Sequence, residues 1–165
     1  MYVGAAVLAA VELAVLWAAL HPDVGADYRA YYIDKTTTCL NQPVAGDYVI
    51  GTELSFRSQG YNAISKGVRV CGWDGPAGDG LHSVGNTSRL RFAFGDGAAP
   101  DRLHIAMTAI THEGDPRQRV DVIGNGVSLG KLTLNGGETR SFDMVLPPSV
   151  FAQSPGRLEL TLAYP

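Results

Sequence analysis

A chain of 165 residues with 45% hydrophobic content is long enough to bury one core of ordinary size and too short for two. Its net charge is −3, with 13 Lys and Arg scattered singly instead of forming a stripe, which argues against nucleic acid as a partner. Twenty glycines and nine prolines suit short strands joined by tight turns, and two isolated cysteines with no CxxC or Cys/His cluster give no zinc signature.

The chain opens on an apolar run, YVGAAVLAAVELAVLWAAL, in which Glu12 is the one charge. As a helix, Tyr2–Leu20 would extend about 28 Å, close to the ~30 Å of bilayer hydrocarbon. Tyr2 and Trp17 stand near its ends, where aromatic side chains favour the lipid–water boundary, and His21-Pro22-Asp23 stops it. The expectation is a transmembrane helix over residues 1–22. A signal peptide cleaved near Val24-Gly25-Ala26 and the last helix of a larger multi-spanning protein are the other readings, although no Lys or Arg precedes the run as a signal peptide would require. All three place the residues after about position 25 outside the cytoplasm, and the leading one makes the chain membrane-anchored with its bulk periplasmic or otherwise extracytoplasmic. An ionisable group in mid-membrane faces a partner helix or a cavity more often than lipid. Glu12 is therefore the expected contact to a membrane protein partner, with Gly4, Ala5, Ala9 and Ala10 permitting close approach. The plainer alternative is a protonated Glu tolerated in a lone helix.

Residues 23–46 read as a connector. Its three tyrosines, Tyr28, Tyr31 and Tyr32, are expected to cover the base of the following domain, the membrane interface being the other place for them. Residues 47–165 alternate apolar and polar positions as pleated strands do. DYVIGTELSFR (Asp47–Arg57) places Tyr48, Ile50, Thr52, Leu54 and Phe56 on one face of a half-buried strand, and GVRVCGW gives a second that carries Cys71. A Cys39–Cys71 disulfide would staple the connector to this sheet. Asp74 to Asn86 lacks periodicity and reads as a loop. TSRLRFAFG and DRLHIAMTAIT are further strands, followed by a charged turn at His112–Arg117. Val120, Val122, Val127, Leu129, Leu132 and Leu134 then flank Asn125-Gly126, which tolerates the positive φ of a tight hairpin. Asn135-Gly136-Gly137 is expected to make a second hairpin into TRSFDMVL. Pro147-Pro148 ends that strand, and the last run, Arg157–Tyr164, could form a sheet edge covered by a partner. The sum is an all-β chain of about eight strands, an antiparallel two-sheet sandwich of jelly-roll type. Helix beyond the N-terminal segment should be nearly absent.

Chemistry, where there is any, concentrates in CGWDGPAGDGLHSVG, Cys71–Gly85. Asp74 and Asp79 could offer oxygens to Ca²⁺, but their spacing is not that of an EF-hand, and Asp in a glycine-rich loop commonly caps its own turn. Trp73 could stack on a sugar ring or fill the core beside a disulfide. His82, Ser83 and the two aspartates are the residue types of a hydrolase, yet neighbours on a strand point to opposite faces and Ser83 has no nucleophile elbow. His104 sits within an alternating strand. With no GxGxxG, P-loop or HExxH, no catalytic residue, resident metal or cofactor is assigned.

Two stretches carry a resemblance. NGVSLGKLTL, the GET turn, a strand ending in Pro147-Pro148 and GRLELTL together resemble the jelly-roll accessory domains attached to bacterial envelope glycosyltransferases and polysaccharide-assembly proteins. CGWDGPAGDGLHSVGNTSRLRF resembles a tryptophan-rich motif of the same group. It keeps Trp73, Pro76, Ser83 and Gly85 and has Ala77, Asp79 and His82 where an acidic residue and two tryptophans would stand. The resemblance implies an extracytoplasmic, non-catalytic accessory domain beside a membrane helix in envelope glycan assembly. The alternatives are a carbohydrate-binding module using Trp73 and the Asp74–His82 loop, with a glycan as ligand, and a small hydrolase centred on His82.

Overall fold

A computed structural model describes residues 2–95, 98–110 and 116–165 of the chain. Residues 112–115 of the expected turn at His112–Arg117, His112 included, lie outside this set. Helix α1 spans Tyr2–Leu20 and consists of apolar residues on every side around Glu12. Its window Val3–Leu20 has a mean hydropathy of 2.2, and none of it is buried by the rest of the chain. Beyond it the described residues are mostly strand, with helix in short pieces that include α2 (Ala26–Tyr28), running into a π turn Arg29–Ile33, α3 (Ala63–Gly67) and a 3-10 turn Pro148–Phe151. Asn62 starts α3 because its Oδ1 accepts the backbone N–H groups of Ile64 and Ser65, both at 3.0 Å.

Ten strands follow: β1 (Gly46–Tyr48), β2 (Arg69–Cys71), β3 (Trp73–Pro76), β4 (Leu81–Ser83), β5 (Thr87–Phe94), β6 (Arg102–Thr108), β7 (Arg117–Gly124), β8 (Val127–Asn135), β9 (Thr139–Val145) and β10 (Arg157–Ala163). Six make one sheet in the order β1-β5-β10-β7-β8, with β2 also on β5. The pairs β3-β4 and β6-β9 form two-stranded sheets of their own. Among the described strands only β1 lies parallel to its neighbour.

The period of two decides which residues meet. On β5, Leu90, Phe92 and Phe94 are buried and alternate with Arg89 and Arg91. On β10, Leu158, Leu160 and Leu162 alternate with Glu159 and Thr161. Val120 and Val122 of β7 and Leu132 and Leu134 of β8 continue this apolar face. Against it pack Leu103, Ile105 and Met107 of β6, Phe142 and Met144 of β9, and Val150 and Phe151 of the 3-10 turn. Each fully buried Leu contributes about 1.5–3 kcal/mol over its exposed state, so β5 and β10, at the middle of the sheet, carry the largest share.

Four expectations about the β body differ from the structure. The strand expected over Asp47–Arg57 stops at Tyr48, because Gly51 turns the chain with φ +87 and Thr52 N–H closes onto the Val49 carbonyl at 3.1 Å. Leu54 and Phe56 still reach the core from irregular backbone. The aperiodic stretch after Trp73 is a hairpin, β3-β4, with Trp73 opposite Ser83 and Pro76 opposite Leu81. Asn125-Gly126 does join β7 to β8 with positive φ at both residues (46 and 83), but Asn135-Gly136-Gly137 is not a second hairpin. Gly136 N–H donates to Pro116 and Gly137 N–H to Ala109, at 2.8 and 2.9 Å, so the turn carries the chain across to β9, which pairs with β6 from Arg102↔Val145 to Thr108↔Thr139. Finally, Arg157–Tyr164 is no edge: β10 is paired on both sides, by β5 and by β7.

Candidate functional site

The glycine-rich stretch after Cys71 is built on one left-handed residue. Gly72 has φ +73, and a Cβ there would collide with the Thr87 carbonyl, so only glycine lets the chain leave β2 and cross the end of β5. Its carbonyl accepts from the buried Ser88 hydroxyl at 2.6 Å and from Val84 N–H at 2.9 Å, which ties both arms of the hairpin to the sheet. Beside it Cys39 and Cys71 form a disulfide with Cα atoms 4.8 Å apart, within the range such bridges span. Thr38 Oγ1 donates to the Val84 carbonyl at 3.0 Å, so the connector is fastened next to the same hairpin.

Trp73 is half-buried and packs against the core, and its indole N–H donates to the Arg89 carbonyl at 2.9 Å. Asp74 is exposed; its carboxylate accepts Gly75 N–H at 2.7 Å, and its carbonyl accepts from Arg69 Nη1 at 2.9 Å. Asp79 and His82 meet across the tip, His82 Nε2 lying 3.1 and 3.2 Å from the two carboxylate oxygens. That hydrogen bond is the main reason the Asp79 carboxyl is held below the usual carboxylate range. Its own backbone N–H, the imidazole's charge and the more distant Arg57 act in the same direction, against a smaller opposing effect of desolvation.

The hairpin therefore brings Asp79 and His82 together and leaves Asp74 and Trp73 with separate local partners. Among the described residues His82 bonds only to Asp79. Ser83, next along the strand, is turned the other way, towards the Tyr164 hydroxyl. Burial holds the Tyr164 phenol above its usual pKa, while its hydrogen bonds to Ser88 and Ser83 oppose that rise. No group of three His, Cys, Asp or Glu able to hold a metal occurs among the described residues. Glu12 lies in the middle of α1, clear of the β body, as does the rest of that helix. His104 pairs with Asp143, directly opposite on β9, at 2.9 Å on an exposed face.

Sequence reasoning missed the network on the outer face of the six-stranded sheet. Arg91 Nε donates to Glu159 at 3.0 Å. Its Nη atoms donate to the Gln42 carbonyl at 2.7 Å, to the Val44 carbonyl at 3.3 Å and to Asn41 Oδ1 at 2.8 Å. A signal did exist in the alternation of RLRF against RLEL, but it becomes readable only once β5 is known to pair with β10 in the register Arg91↔Glu159.

Comparison of the chain with protein-family models, with curated proteins and with solved structures finds no match.

Proposed function

We propose that this chain is a membrane-anchored, extracytoplasmic β-sandwich of jelly-roll type that serves as a non-catalytic accessory domain in bacterial envelope glycan assembly, docking on a membrane partner through its N-terminal helix. The observation that carries the reading is α1: a window of mean hydropathy 2.2 that the β body leaves entirely uncovered, with Glu12 at its middle. Such a helix is at home in another apolar medium, and an ionisable group at its middle faces a neighbouring helix or a cavity more often than lipid. The Cys39–Cys71 disulfide supports an oxidising compartment for the rest of the chain. The pairing of β6-β9 and its packing against the six-stranded sheet support the sandwich.

The test is co-purification from detergent-solubilised membranes. A multi-spanning glycosyltransferase should accompany the full chain, be lost from a chain starting at Asp27 and be weakened by Glu12→Leu. Retention by the shortened chain would sink the docking role of α1.

A second reading rests on the exposed Asp79–His82 tip, where a carboxylate and an imidazole side by side can bond adjacent hydroxyls of a glycan. Glycan-array binding lost in Asp79→Ala and His82→Ala would favour it.

A further inference from the structure

The connector tyrosines do not do what their sequence suggests. None of Tyr28, Tyr31 and Tyr32 belongs to the side chains packed on the core. Tyr28 and Tyr32 are 48% and 52% exposed, and Ile33 beside them is 43% exposed. The rings pack on one another instead, Tyr28 on Tyr32 at 4.6 Å and Tyr31 edge-on to Tyr32 at 4.8 Å. Large rings gathered into a patch and left uncovered are costly in water, and phenols are favoured where one end of the ring can be apolar and the other wet.

The patch is also held in place. α2 and the π turn gather the three rings, and Asp34 N–H and Thr36 N–H close the turn onto the Arg29 and Ala30 carbonyls, both at 2.9 Å. Arg29 Nη2 donates to the Pro22 carbonyl at 2.9 Å, and its N–H to Gly25 at 3.0 Å. The turn is thereby folded back on the segment where α1 ends, where Trp17 stacks on His21 at 3.9 Å.

We infer that the Tyr28–Ile33 turn is a lipid-binding element that beds its aromatic patch in the membrane–water interface at the exit of α1. Continuity names the occupant. The patch follows an apolar helix within eight residues, is tied to that helix's exit, and has the ring chemistry favoured at the headgroup boundary. The domain then meets the bilayer through the helix and through a second, interfacial contact that limits its swing.

The inference rests on the membrane-anchored reading, and the experiment separates the two. The full chain, labelled with 3-fluorotyrosine and 5-fluorotryptophan, is placed in nanodiscs of phosphatidylcholine and phosphatidylglycerol, and the ¹⁹F resonances are assigned by single Tyr→Phe and Trp→Phe variants. A nitroxide near the top of the acyl chain should erase the Tyr28, Tyr31, Tyr32 and Trp17 signals and spare Tyr48, Tyr164 and Trp73. If Trp17 is erased while the three tyrosines respond only to a headgroup-bound lanthanide, the helix is inserted and this inference fails alone. If Trp17 is spared as well, α1 is not in the bilayer and both readings fall.

Discussion

Replacing both cysteines by alanine tests how the connector is held. The bridge joins residues 32 apart, and for a loop of that length the chain-entropy relation gives about 12 cal/mol/K, or about 3.7 kcal/mol at room temperature. That loss arises in the unfolded state. In the folded state the connector keeps its bonds to Arg91 through Asn41, Gln42 and Val44, and Thr38 keeps its bond to Val84. The native structure should therefore survive the change. Urea unfolding of the chain from Asp27 onward, followed by the fluorescence of Trp73, reads the difference, because Trp73 is then the sole tryptophan and adjoins the bridge. With a slope of about 2 kcal/mol/M, the midpoint should fall by about 2 M, and the slope itself should rise because the uncrosslinked chain unfolds to a larger surface. A fall of less than about 0.5 M would refute the argument, since it would mean that the unfolded connector is restricted by something other than the bridge.

Leu160→Ala removes a fully buried side chain from the central strand and should cost about 2–5 kcal/mol, seen as a lowered melting temperature; a cost under about 1 kcal/mol would contradict the placement of β10. Gly72→Ala forces a side chain into a left-handed position against the Thr87 carbonyl and should destabilise by about 1–3 kcal/mol in the same melt, where an unchanged melting temperature would exclude that backbone geometry. His82→Ala should raise the Asp79 pKa towards the ordinary carboxylate value in a carboxyl NMR titration. Because the folded-state value is depressed, the pair's contribution is present above the ordinary carboxylate range and lost as pH falls through the lower folded value, and an Asp79 titration unmoved by the variant would refute the pairing. Arg91→Ala should release Asn41–Val44, so that limited proteolysis cuts there faster than in the unaltered chain; equal rates would show that Arg91 does not hold the connector.

What the sequence made legible was set by local chemistry. The alternation of Arg89, Leu90, Arg91 and Phe92 reports β5 because side chains on a strand point to opposite faces whatever the strand pairs with. Asn125-Gly126 reports a hairpin because positive φ at both residues is a local requirement. Asn135-Gly136-Gly137 has the same composition and a different outcome: whether β9 folds onto β8 or crosses to β6 depends on bonds to Pro116 and Ala109, far away in sequence. The Arg91–Glu159 network was illegible for the same reason, and the Asp79–His82 pair, only three residues apart, because the aperiodic stretch gave no sign of a hairpin. The residues were visible, but their meeting depends on a hairpin and on a register that composition does not encode.

The outer face of β5 and β10 explains why the connector is part of the fold. A central strand with leucines and phenylalanines inward must present its alternate residues outward, and here those are Arg89, Arg91 and Glu159. Left in water, such a cross-strand ion pair contributes little. With the connector laid over Arg91, whose side chain is only 17% exposed, the guanidinium collects carbonyls from Gln42 and Val44 and the carboxylate of Glu159 in one half-buried place. The same bonds shorten the free chain between the sheet and α1. The π turn is closed by Thr36 and the hairpin contact begins at Thr38, so little free chain separates the segment tied to α1 from the segment tied to the sheet. A residue spans at most about 3.6 Å, so the sheet cannot drift far from the exit of the helix.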